Sequence, residues 1–211
     1  MYIPRIHIAK DPQRVVNFIK KYSFAILVSH KGHKDLSIVH IPIEAEIKDE
    51  ELYLSGHVAL ENPVAKLISS GTRSTIIFSQ PHAYVSSSWY DHVNVPTWNY
   101  IAVHCSGLFR KIEGEELLDS IKKMVEHYED GRSARYNIFD MPQDMLQAHL
   151  DGLVGFDMKI DLIEAKYKLS QNRHDKDFKN IIIKLLQSSD PLEKDIANEM
   201  IQLRPHLNEE F

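Results

Sequence analysis

Residues 24–46 read FAILVSHKGHKDLSIVHIPIEAE, and the fold turns on them. Phe24 to Ser29 is an apolar run rich in β-forming residues, and Lys31-Gly32 supply turn chemistry behind it. From Leu36 to Glu46 the pattern partly alternates, with Ile38, His40 and Pro42 on one side and Val39, Ile41 and Ile43 on the other. Strand therefore follows strand across a short turn. Pro42 has no N–H to give to a ladder, so it predicts an edge, a bulge or a local break.

The pattern extends in both directions. Upstream, Asp11 and Pro12 stand as N-cap and first residue of a helix running to Lys20, with Val15, Val16, Phe18 and Ile19 as its apolar residues. Downstream, Leu52 to Gly56 reads as a short strand and Pro63 to Ser69 as a helix opening after Asn62. Ser74 to Ser79 reads as a core strand that Tyr84-Val85 continue beyond Pro81. An irregular aromatic stretch from Ser86 to Tyr100 holds both tryptophans. Tyr100 to Ile112 predicts a long strand, with Gly107 as a bulge or a point of close approach. Helices are predicted over Glu113–Glu129 and Asp144–Leu150, a strand over Gly155–Leu169, and helices again from Asp175 and from Pro191 to about Leu203.

At least six strands separated by short turns, interrupted by helices, argue for a closed antiparallel barrel with helices outside it. A parallel fold would need regular strand–helix alternation, which the pattern lacks. The class is α+β. Residues 1–173 are expected to form the barrel domain and 174–211 a C-terminal helical extension of it.

The chain has 211 residues, 43% hydrophobic and 26% charged, the balance of an ordinary soluble protein. No apolar run approaches the roughly 18 residues of a membrane span, and the opening MYIPRIHIAKDP lacks a signal-like apolar core. Cys105 is the sole cysteine, which excludes an intrachain disulfide and a CxxC site. A cytoplasmic location is the expectation. The formal net charge of −5 gives no support to binding DNA through phosphate neutralisation.

Four stretches carry a resemblance: LSGHVALENP (54–63), PHAYVSSSWY (81–90), VPTWNYIAVHCSG (95–107) and VGFDMKIDLIEAKYKLSQNR (154–173). In this order and spacing the chain resembles the PaiB-like family, described as FMN-binding negative transcriptional regulators. PTWNY and KLSQNR are the most specific elements, and MYIP and IVHIPIE fit the same pattern. The resemblance implies an antiparallel split barrel with flanking helices and a homodimer with FMN at the subunit interface. It also implies a regulatory role, a flavin-dependent oxidoreductase activity on a small molecule, or both. Related split barrels make heme the alternative ligand. The chain departs from the family pattern where Leu60 and Glu61 replace a basic residue, and where Ser79-Gln80 precede PHAY.

FMN needs N–H groups and cations for its phosphate and a flat apolar surface for its ring. Gly56, His57 and Asn62, between a strand and a helix, are candidates for the phosphate; the plain alternative is a helix cap beside a surface histidine. Trp98, Asn99 and Tyr100 are candidates for the ring, though aromatic clusters also build cores and interfaces. Lys168, Ser170, Gln171 and Arg173 suit a phosphate or a partner; the alternative is a solvated turn before the next helix. The resemblance places His40 where split-barrel proteins line the flavin cleft, which makes it a cofactor-binding candidate; the plain alternative is a satisfied core or rim residue. No nucleophilic triad is legible, Cys105 is expected to be buried and inert, and the histidines at 82, 92 and 104 lack ligand-like spacing.

Overall fold

The Asp11 carboxylate accepts the Gln13 amide at 2.9 Å, and helix α1 (Pro12–Lys21) follows, with Val15, Val16, Phe18 and Ile19 buried. The computed structural model describes residues 1–9, 11–31 and 35–210. They fall into two units. One comprises Met1–Asn17, Phe78–Val103 and the chain from Glu164 on; the other comprises Phe18–Ile77 and His104–Ile163.

The second unit contains most of the sheet. Strand β1 (Phe24–Lys31) pairs antiparallel with β2 (Asp35–Pro42), from Phe24 opposite Pro42 to Lys31 opposite Asp35. The turn predicted at Lys31-Gly32 reaches Gly32, which lies outside the described residues. Strand β3 (Glu44–Lys48) pairs with β4 (Glu51–Ala59), helix α2 (Pro63–Ser69) follows, and β5 (Arg73–Phe78) pairs with β1. Strands β6 (His82–Val85), β7 (Thr97–Ile112) and β8 (Leu153–Lys168) complete an eight-stranded sheet of order β2-β1-β5-β7-β8-β4-β3, with β6 paired to β7. That path begins at β2 and ends at β3, yet only Ile43 separates these strands in sequence. The two ends of the path must therefore meet, which makes the sheet a barrel. The break predicted at Pro42 is this corner.

Inside it lie Leu27, Ile43, Leu54, Ile76, Phe156 and Met158, each almost fully buried. Gly107 on β7 passes so close to β8 that a Cβ there would overlap the Lys159 carbonyl oxygen. Helix α3 (Gly114–Glu129) packs Leu117 against Gly155, and α4 (Gln143–Asp151) precedes β8.

In the first unit, β6 pairs antiparallel with the start of β7, from His82 opposite Tyr100 to Val85 opposite Thr97. Tyr84-Val85 thus belong to a separate strand and do not continue β5. Helices α5 (Asp175–Leu186) and α6 (Pro191–Leu203) pack on each other, α6 on β6 and α5 on a 3-10 turn at Ser87–Trp89. Phe178, Ile181, Ile182, Ile196 and Met200 are fully buried there. Among the described residues, no helix is long and apolar enough to cross a membrane.

Candidate functional site

Alternation along the strands of the first unit sorts the candidates onto two faces. Ala83, Val85, Asn99, Ile101, Tyr167 and Leu169 point inward. His82 and Tyr84 of β6, Trp98 and Tyr100 of β7, and Lys166 and Lys168 of β8 point outward. The register sets Tyr84 opposite Trp98 and His82 opposite Tyr100. Trp98 is 51% exposed, with its ring edge-on to Tyr84 at 5.7 Å and 5.8 Å from the His82 ring. The Lys166 ammonium lies over Tyr100 at 5.2 Å and within 5.9 Å of the Tyr2 ring.

Lys168 donates to the Thr97 hydroxyl at 2.5 Å. Burial holds its pKa below the ordinary lysine value, and the neighbouring charges of Lys166 and Arg173 push the same way while Tyr100 opposes them. The Arg173 guanidinium stacks on Tyr90 at 4.8 Å. Among the described residues, neither lysine nor Arg173 is paired with a carboxylate, so three cations gather without a counter-charge.

Behind them the KLSQNR segment folds into a braced turn. Ser170 takes a left-handed conformation, with φ 59°, and its hydroxyl donates to the Asn99 side-chain carbonyl at 3.0 Å. Asn99 is fully buried and its amide nitrogen meets the Met200 sulfur at 3.4 Å. Gln171 accepts the Leu169 amide at 2.8 Å, meets His7 Nδ1 at 3.0 Å and donates to the Tyr167 carbonyl. The Arg204 guanidinium binds the carbonyls of Gln171 and Arg173 and the Asp175 carboxylate. Asn99, Ser170 and Gln171 therefore hold the turn with their side chains, leaving Lys168 and Arg173 on its surface. Sequence reading missed Thr97, although it lies within PTWNY, and also His7, Met200 and Arg204, which lie far away in sequence and carry no motif of their own.

The remaining candidates belong to the other unit. Asn62 caps α2, its side-chain oxygen accepting the Val64 amide at 3.0 Å. Gly56 faces the barrel interior, where a Cβ would stand 3.1 Å from the Phe156 ring and 3.3 Å from Ile43. His57 is half-buried on β4; its Nδ1 has no partner among the described residues, and burial lowers its pKa. His40 is exposed on β2 and stacks with Phe24 at 6.3 Å.

This strand order with its flanking helices defines an α+β protein of the split-barrel class. The flavocytochrome Anf3 from Azotobacter vinelandii shares the fold with a TM-score of 0.60 at 11% identity, over 84% of this chain and 78% of that one. The FAD and heme binding protein from Mycobacterium smegmatis does so at 0.59 and 12%, over 81% and 78%. Residues 1–162 match the family model described as "Putative FMN-binding domain", and the chain belongs to that family. It is 36% identical over 200 residues to the protease synthase and sporulation protein PAI 2 of Bacillus subtilis (strain 168), covering 95% of this chain and 96% of that protein. The PaiB-like resemblance is borne out.

Proposed function

We propose that the chain binds FMN on the outward face of β6, β7 and β8. The observation that carries this reading is the group of three unpaired cations, Lys166, Lys168 and Arg173, beside the exposed rings of Trp98 and Tyr84. A flavin has the complementary parts. Its phosphate would relieve the mutual repulsion of the cations, and its flat ring would cover Trp98. When bound, FMN supplies redox chemistry; the chain's own residues orient it and exclude water from one side of the ring.

The test is a titration of the purified protein with FMN, followed by flavin absorbance and quenching of flavin fluorescence. Saturable uptake is expected, weakened about tenfold by Lys168→Ala, for a charge-assisted hydrogen bond. Trp98→Ala is expected to weaken uptake without unfolding the protein. Failure of FMN to saturate the protein refutes the reading. We also assign the chain a homodimer. Phe24, Leu36 and Ile38 on β1 and β2 are 69%, 63% and 58% exposed and form the apolar surface such an interface would cover. Phe24→Glu is expected to yield monomers in sedimentation analysis.

A second reading, heme on the same face, draws on the exposed His82 ring beside Trp98. It requires a Soret band that His82→Ala abolishes.

A further inference from the structure

A cleft of about 360 Å3 in the second unit is lined by α3 and by strands β3, β4, β7 and β8. The registers place Glu44 opposite Ser55, and Ser55 opposite Asp157, so these three residues form one row across three strands. Side chains in such a row share a face of the sheet, with neighbouring backbones about 5 Å apart. All three line the cleft.

Each carboxylate in the row is half satisfied. Glu44 Oε2 meets His127 Nδ1 at 3.2 Å, and Asp157 Oδ2 accepts from Arg110 at 2.7 Å. Glu44 Oε1 and Asp157 Oδ1 are buried and have no hydrogen-bond partner among the described residues. Asp157 as a whole is 8% exposed. Leaving a buried charged acceptor without a donor is costly, so two of them flanking one hydroxyl call for a donor. The cleft lining also has an excess of negative charge, with five carboxylates against Lys48, Arg110 and Lys123.

We propose that this cleft binds a small primary ammonium ion, whose N–H groups donate to Glu44 Oε1, Asp157 Oδ1 and the Ser55 hydroxyl. An ammonium supplies three donors and no acceptor, the complement of this row. A divalent metal would need six or more oxygens around it, and the row offers three acceptors. Ala45, Ile112 and the Tyr53 ring give the ligand's hydrocarbon part an apolar wall. The two oxygens lie beneath the cleft surface. Entry requires a shift of the Arg110 and Lys123 side chains, which are 55% and 64% exposed, with Arg110 held by Glu116 and Asp157 and Lys123 by Glu46.

The experiment is calorimetric titration of the full chain with n-butylamine, with tetramethylammonium and with magnesium ions, each as the chloride. Butylamine is expected to saturate at one per chain. Tetramethylammonium, which has charge but no N–H, is expected to bind about tenfold more weakly, as are butylamine with the E44Q and S55A variants. Circular dichroism establishes that each variant is folded, and either folded variant suffices. The proposal is overturned if butylamine gives no saturable heat, if tetramethylammonium matches it, if magnesium alone saturates the protein, or if the folded variants bind as the parent does. None of these outcomes bears on FMN uptake.

Discussion

The Ser170 hydroxyl donates to the side-chain carbonyl of Asn99 at 3.0 Å, tying the turn after β8 to the buried side of β7. Ser170→Ala leaves that carbonyl without its donor and keeps a Cβ in the left-handed conformation. Ser170→Gly loses the same hydrogen bond but relieves the backbone. Both variants should lower the urea midpoint, the alanine variant more, with a loss of about 1–3 kcal/mol. Equal midpoints for the two would show that the backbone conformation contributes nothing.

His57 gives stability a pH dependence of definite sign. Burial holds its folded pKa below the ordinary value of 6.5, so the unfolded chain takes up this proton first as the pH falls. The contribution is fully present above 6.5 and is lost as the pH drops from there through the folded pKa. His7, also held down chiefly by burial, acts in the same direction. Melting temperatures recorded from neutral pH down to ~pH 5 should fall, and His57→Phe should flatten part of that slope.

Cys105 is fully buried on β7, and burial pushes its thiol pKa up to about 12. The thiolate is therefore scarce and shielded. Iodoacetamide should label the native protein far more slowly than the urea-unfolded protein. Rapid native labelling would mean that β7 opens readily.

Gly107→Ala places a methyl group against the Lys159 carbonyl oxygen, a backbone atom that cannot swing aside. The strands must separate, at a cost of order 3 kcal/mol. Thermal unfolding of this variant should show a larger loss than any surface substitution on the same strand.

Local chemistry was legible in the sequence and long-range partnership was not. Asn62-Pro63 announced α2 because a cap and its helix are contiguous, and Pro42 announced the corner because proline lacks the donor. Tyr84-Val85 show the limit. Alternation marked them as extended, but periodicity does not say which neighbour a strand takes, and β6 joined β7. The same holds for the candidate site. PTWNY and KLSQNR stand in the sequence as two separate motifs. That Lys168 reaches Thr97, Ser170 reaches Asn99 and Arg204 braces the turn depends on pairings 71, 71 and 33 residues apart.

The corner at Ile43 restricts how this gene can change length. On its N-terminal side β2 pairs with β1; on its C-terminal side β3 pairs with β4. Ile43 keeps its amide on the Ser23 carbonyl at 2.9 Å while its side chain is buried in the barrel. Because side chains alternate with a period of two, one inserted or deleted codon here would turn one of the two flanking segments inside out. It would drive Glu44 into the core or Ile41 into solvent. Single substitutions at the corner leave that parity intact. Relatives of this chain should therefore align across residues 41–44 without gaps even where their residues differ.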